Sequence, residues 1–339
     1  MNISYRTRYL LKRIFTVSLI VLAVAAVIYL CWFVWLQRYV VYTRDQGAVL
    51  DMQVNPQVSE GAVAVAPEQE EISIYYNEGD NAINVSRELT QLVGYYADTE
   101  ALADMASVQQ QISLLETGTP VMLDVKDGKG RFYYSSQVGS QRRSGIDPTQ
   151  MDALIAQLDK KGMYLIARLP AFRDYQFGLD QTANGLFVSS GAYLWADEDY
   201  CYWLDPTKQG TVTYLVEIVT ELKKLGFDEV VFENFCFPDT QDLKFNGDRA
   251  QALNTTAATL VTTCADNSFA VSFISRDQGL TFPGGRSRLY ITDAAAAQAG
   301  AAANAAGVPD PTIHVVFLTQ IHDTRFNEYS VLRPLDSAE

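Results

Sequence analysis

The sequence predicts an α/β protein, a (β/α)8-type TIM barrel behind a single N-terminal transmembrane helix. Three observations predict it: an uncharged apolar run near the N-terminus, an alternation of apolar strands and amphipathic helices beyond residue 90, and polar residues where those strands end. Without its N-terminal segment the chain keeps roughly 250 to 290 residues, which is the usual size of one such barrel.

The apolar run covers residues 14–36 and contains 23 residues without a charge. A helix of that length, at about 1.5 Å per residue, crosses a hydrocarbon core of ~30 Å. Basic residues precede the run and aromatic residues follow it, as the positive-inside rule and aromatic belts require. We therefore expect residues 1–13 to be a cytoplasmic tail and 14–36 an uncleaved anchor. The rest of the chain is expected outside the cytoplasm, at the cell membrane.

Charge and composition exclude several classes of function. Residues 1–44 hold six of the 26 basic side chains and none of the 40 acidic ones, so the remainder is strongly acidic. Nucleic acid is therefore not an expected partner. The chain has two histidines, and its three cysteines beyond the membrane form no short-spaced pair. We predict no metal site and no cofactor.

Residues 37–90 show no sustained period and are predicted to be a stalk or a small β-rich spacer. The barrel is predicted over 91–335. Seven strands are predicted, at 92–96, 120–126, 163–169, 228–233, 269–275, 288–292 and 313–319. Helical stretches with apolar residues three and four positions apart lie between them. Since no eighth strand is identified, the barrel could be incomplete, and a doubly wound open sheet is the alternative.

In either architecture ligand sites gather at the carboxyl ends of the strands. These ends are unusually polar here. The predicted second strand is followed by Asp124, Lys126 and Asp127, the third ends with Arg168, and the fourth ends with Glu233 and Asn234.

Four blocks in this region carry a family resemblance. They read "VMLDVKDGKGRFYYSS", "YLIARLPAFRD", "YWLDP" and "LKKLGFDEVVFENFCFPD". Together they resemble a glycoside hydrolase barrel family that is distantly related to the α-amylase-type hydrolases. In that family the fourth strand ends Phe-Asp-Tyr-x-Arg-Phe-Pro, with the Asp taken as catalytic. Here Glu233, Asn234 and Cys236 replace the family's Asp, Tyr and Arg.

The resemblance implies hydrolysis of a polysaccharide, which takes two carboxyl groups. Glu233 is the strongest candidate for one of them. Asp124, Asp127, Asp277 and Asp293 lie near strand ends and are candidates for the other. Substrate binding is predicted for Lys126, Arg168 and Asn234. An equally weighted alternative places Glu233 in a structural salt bridge with Lys126 or Arg168.

A long aromatic loop, residues 171–209, follows the third predicted strand. Its aromatic content argues against disorder, and a loop this long in a compact domain is usually functional. Trp195 and Trp203 are predicted to be exposed and to stack on sugar rings, although most of the loop's rings are expected to pack onto the barrel.

Three functions are compatible with these observations. The first is a membrane-anchored extracytoplasmic glycoside hydrolase. The second is a carbohydrate-binding pseudoenzyme that kept the barrel but lost turnover with the changed strand-four motif. The third is a structural protein of the cell envelope, which a closed salt-bridge cluster without a cleft would favour.

Overall fold

A computed structural model describes residues 40–43, 47–50, 88–139, 144–276 and 279–337. Among these residues no helix is both long enough and apolar enough to cross a membrane. The predicted anchor, residues 14–36, lies outside them. Within the predicted spacer, strands β1 (Val40–Thr43) and β2 (Gly47–Leu50) form an antiparallel hairpin. The hairpin and the barrel belong to two different compact units of the chain.

Eight parallel strands close into a barrel in the order β10-β3-β4-β5-β6-β7-β8-β9. They are β3 (Val93–Ala97), β4 (Pro120–Asp124), β5 (Tyr164–Pro170), β6 (Glu229–Glu233), β7 (Ala270–Ile274), β8 (Leu289–Thr292), β9 (Val315–Leu318) and β10 (Ser330–Pro334). The closed barrel is confirmed, and the open-sheet alternative is wrong. Strand β10, which completes the ring, was not among the seven predicted strands.

Helices connect the strands on the outside. They are α1 (Thr99–Leu102), α2 (Met105–Leu114), α3 (Pro148–Lys160), α4 (Tyr175–Asp180), α5 (Gln209–Lys224), α6 (Arg249–Cys264), α7 (Ala299–Ala305) and α8 (Pro311–His314). Helix α5 shows why they pack as they do. Its apolar residues recur three and four positions apart, and Leu215, Ile218, Val219 and Leu222 are all buried.

Each strand directs alternate side chains into the barrel and outward to the helices. On β4, Met122 packs in the lumen while Val121 and Leu123 belong to the core under the helices. Met122, Ile166 and Val231 form part of an apolar lumen layer. Since a strand's side chains repeat every second residue, Asp124, Arg168 and Glu233, each two residues further along, point toward the same interior at the carboxyl ends.

At the opposite, amino-terminal end the lumen is closed by a buried ion pair between Glu229 and Arg288, whose side chains are 0% and 1% exposed. Tyr164 Oη and Ser272 Oγ donate to the two Glu229 carboxylate oxygens over 2.9 Å and 2.5 Å. Tyr290 Oη also donates to Glu229, over 3.0 Å. The Arg288 guanidinium donates to the carbonyls of Thr90 and Ile313. We call these residues the floor network.

Removing one charge of the floor network should unfold the barrel more easily, because the partner is left as a buried, uncompensated ion. Glu229→Gln is expected to lower the free energy of unfolding by about 3 to 5 kcal/mol. Urea unfolding followed by tryptophan fluorescence measures the change. Arg325→Gln is the matched control, since Arg325 pairs with Asp323 at the surface and should cost less than about 1 kcal/mol. Equal effects of the two substitutions would contradict the prediction.

Three residues other than glycine have a left-handed backbone in the described part of the chain: Tyr200 (φ 59°), Asn234 (φ 49°) and Asp293 (φ 59°). Asn234 directly follows β6 and Asp293 directly follows β8. Asparagine and aspartate tolerate this region better than other residues. Such backbone strain clusters at functional sites, and here two of the three cases lie at the carboxyl end of the barrel.

The turn after Glu233 should depend on this backbone conformation. Asn234→Val is expected to destabilise the protein by about 1 to 3 kcal/mol, because a β-branched residue is strained at positive φ. Asn234→Gly should stay within about 1 kcal/mol of the native protein, because glycine adopts positive φ without strain. Thermal unfolding of both variants measures the difference. If valine and glycine had the same effect, the turn would not require this backbone.

Candidate active site

An ion pair between Asp124 and Arg168 lies inside the barrel at its carboxyl end. The two residues are direct neighbours in the register of β4 and β5. Arg168 Nε donates to Asp124 Oδ1 over 2.6 Å, and the two side chains are only 16% and 12% exposed. The other oxygen, Oδ2, accepts the Thr99 backbone N–H over 2.8 Å and its hydroxyl over 3.0 Å. Both oxygens of Asp124 therefore have partners.

Glu233 is more accessible than Asp124. It ends β6, and its side chain is 34% exposed. Its ionic partner is Arg276, whose guanidinium lies 4.0 Å from Glu233 Oε1 and is half-exposed. The backbone at this strand end is fixed, because the Ala171 N–H donates to the Glu233 carbonyl over 2.7 Å. The carboxylate is thus held at the mouth of the barrel and remains open to solvent.

The pKa of Arg168 reports on the charges around it. Burial alone would lower it, but the charge and hydrogen bond of Asp124 and the charge of Glu233 raise the pKa of Arg168 above its ordinary value. Asp98 acts in the same direction. Arg168 therefore stays cationic and is shared electrostatically by three carboxylates. Its guanidinium also lies over the Tyr96 ring, 5.8 Å from the ring centre.

A cleft of about 570 Å³ opens beside this cluster, and Tyr96 and Gln320 belong to its lining. Burial raises the pKa of the Tyr96 phenol, so the phenol keeps its proton. The cleft also carries the carboxylates Asp98, Glu100, Asp104 and Asp336. Asp98 and Asp104 cap helices α1 and α2. We call this space the acidic cleft.

Lys126 and Asp127 make structural contacts away from this cluster. Lys126 Nζ lies 2.7 Å from Asp174 Oδ2, and the two side chains are 1% and 0% exposed. The Tyr214 hydroxyl donates to the same Asp174 oxygen. Asp127 accepts the backbone N–H of Lys129 and the side chain of Arg131, which closes its own turn. The structure therefore does not bring Lys126 or Asp127 to Glu233.

The aromatic loop is folded rather than extended. Isolated β-bridges join Phe187 to Leu194 and Ala196 to Tyr202. Trp203 is buried, in contrast to the expected exposure, because its indole N–H donates to Asp197 over 3.1 Å and its ring packs against the core. Trp195 is partly buried and meets Trp203 edge to face at 6.5 Å.

Three further residues were predicted to belong to the site: Asn234, Asp277 and Asp293. Asn234 follows Glu233 in the left-handed turn and is partly exposed. Asp293 is exposed at the end of β8. Asp277 lies outside the described residues. Within the described ranges no cluster of three or more acidic, histidine or cysteine side chains could hold a metal ion.

Tyr96, Asp98 and Thr99 were not among the predicted site residues. A helix-start signal was available, because aspartate before a Thr-Glu-Ala run is a typical N-cap. Nothing local in the sequence indicated that this helix start would contact Asp124 at the end of the neighbouring strand. Arg276 was missed for the same reason, because it lies beyond the predicted strand end and reaches Glu233 only through the pairing of β6 with β7.

The arrangement suits chemistry on a neutral, polar substrate. An accessible carboxylate lies at a strand end, with the Arg276 guanidinium 4.0 Å away and with Arg168 within its electrostatic reach. Such a carboxylate can act as a nucleophile or a base.

Several solved structures are similar to this chain at low sequence identity. A hypothetical protein from Ruminiclostridium thermocellum is 21% identical, with a TM-score of 0.46, over 53% of this chain and 96% of that one. The glycoside hydrolase domain of PelA from Pseudomonas aeruginosa is 17% identical, with a TM-score of 0.42, over 73% and 96%. An alpha-galactosidase from Thermus thermophilus is 12% identical, with a TM-score of 0.41, over 55% and 39%.

A comparison with curated proteins found no match. Residues 94–271, just over half of the chain, match the family described as "Putative glycosyl hydrolase domain". The matched region runs from β3 through β7 and contains Asp124, Arg168 and Glu233. By this match the chain belongs to that glycosyl hydrolase domain family.

Proposed function

We propose that this protein is a glycoside hydrolase that acts on a polysaccharide and uses Glu233 as one of its two carboxyl groups. The observation that carries the proposal is the position of Glu233, partly exposed at the carboxyl end of β6 inside a closed parallel barrel. Active sites of such barrels lie at this end. The family to which the chain belongs supports the reaction class.

In this proposal Glu233 is the nucleophile or the base. The Arg276 guanidinium lies 4.0 Å from Glu233. The charge of Glu233 also helps to raise the pKa of Arg168. The carboxylate is partly exposed at the barrel mouth, so a bound substrate can reach it. Asp124 then acts through Arg168. It holds the guanidinium in place with one oxygen and is itself fixed by Thr99 with the other.

The likeness to α-amylase-type hydrolases is a further part of this proposal. It rests on the four sequence blocks around β4, β5 and β6.

The same geometry supports a second candidate, a carbohydrate-binding protein without turnover. Asp124, one of the predicted catalytic carboxylates, has both oxygens engaged by Arg168 and Thr99. A hydrolase needs a second free carboxyl group near the substrate. Asp98 and Asp293, at the ends of β3 and β8, are the residues to test for that role.

Replacing Glu233 should abolish hydrolysis but not folding. Glu233→Gln keeps the size of the side chain and removes its charge, so kcat on a cleaved polysaccharide should fall by about 100- to 10,000-fold. Sugar release from a panel of neutral polysaccharides, measured with the native protein first, supplies the assay. Glu116→Gln is the matched control because Glu116 is an exposed glutamate in the loop before β4, at the other end of the barrel.

The same assay can identify the residue that supplies the second carboxyl group. Whichever of Asp98→Asn and Asp293→Asn lowers kcat as much as Glu233→Gln identifies it. Unchanged activity of Glu233→Gln would remove Glu233 from the reaction. A native protein that binds the panel without cleaving any member would favour the second candidate.

We further propose that residues 14–36 anchor the protein in the cell membrane, with the N-terminus cytoplasmic and the barrel outside. The apolar, uncharged run and the basic residues before it support this topology. The protein should stay in the membrane pellet after alkaline carbonate extraction, and protease added outside intact cells should degrade the barrel.

Charges in the middle of the run should release the protein. In Leu22→Arg combined with Val24→Arg, each arginine costs about 2.5 to 3.5 kcal/mol at the centre of a spanning helix. Most of this variant should therefore leave the membrane fraction, whereas Leu22→Ile with Val24→Ile should remain. Release of the native chain by carbonate would contradict the anchor.

A further inference from the structure

A second cleft, of about 770 Å³, lies in the aromatic loop. The loop leaves the carboxyl end of β5, and Asp242 from the loop after β6 completes the lining. The rings that line it are Phe187, Tyr193, Trp195, Tyr200 and Tyr202. We call this space the aromatic cleft, and the proposed function gives it no role.

The aromatic cleft is continuous with the loop that carries the turn after Glu233. The Ser189 N–H donates to Asp242 Oδ1 over 3.0 Å, and the Lys244 N–H donates to the Phe187 carbonyl over 2.8 Å. At the base of the two loops the rings of Phe172 and Phe235 lie 4.6 Å apart. Phe235 is two residues beyond Glu233. The loop that lines the aromatic cleft is therefore packed directly against the loop that begins at Glu233.

The aromatic cleft also gathers exposed apolar surface. Three of the six large hydrophobic side chains that are exposed in the described part of the chain line it: Leu179, Tyr193 and Tyr200. Tyr193 is 66% exposed and Tyr200 is 78% exposed. Single exposed hydrophobic residues are ordinary, but their concentration at one cleft marks a binding surface.

The protein holds Tyr200 in this exposed position at a cost. Its backbone is left-handed, with φ 59°, a conformation that is unfavourable for a bulky residue. The Tyr200 N–H donates to the Asp197 carbonyl over 2.9 Å, and Asp197 Oδ1 accepts the Cys201 N–H over 2.9 Å. The turn therefore specifies the direction in which the ring points.

Two side chains outside the turn hold the Asp197 carboxylate in place. Arg173 Nε donates to Asp197 Oδ2 over 2.6 Å, and the buried Trp203 indole donates to the same oxygen. Burial opposes ionisation of Asp197, but the hydrogen bonds from Arg173, Cys201 and Trp203 hold its pKa below the ordinary value. These hydrogen bonds hold Asp197 in place, and Asp197 in turn holds the turn that carries Tyr200.

The chemistry of the lining selects the ligand. Tyrosine and tryptophan faces take the apolar faces of sugar rings, while the carboxylate of Asp242 accepts hydroxyl groups. Neither lysine nor arginine is among the described residues that line the aromatic cleft or the acidic cleft. Residues beyond 44 carry 20 basic and 40 acidic side chains. A negatively charged glycan would be repelled from both spaces.

We propose that the aromatic cleft is a remote subsite for a polysaccharide without negative charge, in which Tyr193 and Tyr200 stack on sugar rings several units away from the reacting bond. The inference rests on the proposed function for the identity of the reacting site, and it specifies the substrate as a polymer. Binding at this subsite does not require cleavage.

Binding can be separated from hydrolysis with the Glu233→Gln form of the full chain. Calorimetry with neutral hexasaccharides of glucose and of N-acetylglucosamine, and with a galacturonate hexamer, measures affinity. We expect at least one neutral hexamer to bind and the galacturonate hexamer to bind at least about tenfold more weakly. Tyr200→Asn, which suits the left-handed backbone, should weaken binding about tenfold, and Tyr193→Ala should do the same.

Two further variants distinguish a binding role from a structural one. Tyr200→Trp keeps an aromatic face and should restore affinity to within about threefold of Tyr200, since stacking tolerates exchange of the ring. Leu114→Ala removes an exposed apolar side chain at the end of α2 and should leave binding unchanged.

The proposal is overturned if no neutral hexamer binds, if galacturonate binds as tightly, or if Tyr193→Ala and Tyr200→Asn bind like the native tyrosines. The two tyrosine substitutions can also be made in the chain that retains Glu233. If both variants hydrolyse polymers and short oligosaccharides as fast as the native protein, the subsite is overturned and the hydrolase proposal stands. If binding depends on the two tyrosines but the native protein hydrolyses nothing, the subsite is supported and the hydrolase proposal is overturned.

Discussion

The buried pair of Glu229 and Arg288 is the interaction on which the barrel depends. Two opposite charges fully removed from water are tolerated only when hydrogen bonds satisfy both groups. Side chains from β5, β7 and β8 and carbonyls beside β3 and β9 provide those bonds. Because these partners come from around the ring, the pair forms only when the strands are in the correct register. It therefore specifies the closure of the barrel as well as contributing to its stability.

The lumen above this floor has a layered electrostatic structure. An apolar layer that includes Met122, Ile166 and Val231 lies over the ionic floor, and the Asp124–Arg168 pair lies above it at the mouth. The apolar layer separates two buried ion pairs of different purpose. The lower one is fully buried, whereas the upper one is partly exposed and its arginine interacts electrostatically with the accessible carboxylate of Glu233. Only the upper layer can take part in chemistry.

The sequence was sufficient for the parts of the fold that depend on local patterns. Seven strands follow from apolar runs and the helices between them from periodicity. Strand β10 was missed because Arg333 and Pro334 interrupt its apolar run, and its place in the barrel depends on pairing with β9 and β3. In the site, too, features set by local sequence were predictable and features set by distant contacts were not. The strand-end positions of Glu233, Arg168 and Asp124 were predictable, but the partners of Lys126 and the burial of Trp203 were not. Those depend on how a long loop folds over the barrel.

The closing seam between β3 and β10 joins the two ends of the barrel sequence. The Leu92 N–H donates to the Ser330 hydroxyl across 238 residues of chain, and β3 pairs in parallel with β10 over four residues. During synthesis at about 5 to 20 residues per second, the first strand must wait on the order of 10 to 50 s for its last neighbour. For that time one edge of the growing sheet has no partner and can pair with other chains. The late, short and proline-ended β10 is therefore the strand whose arrival ends the period in which the nascent protein is open to aggregation.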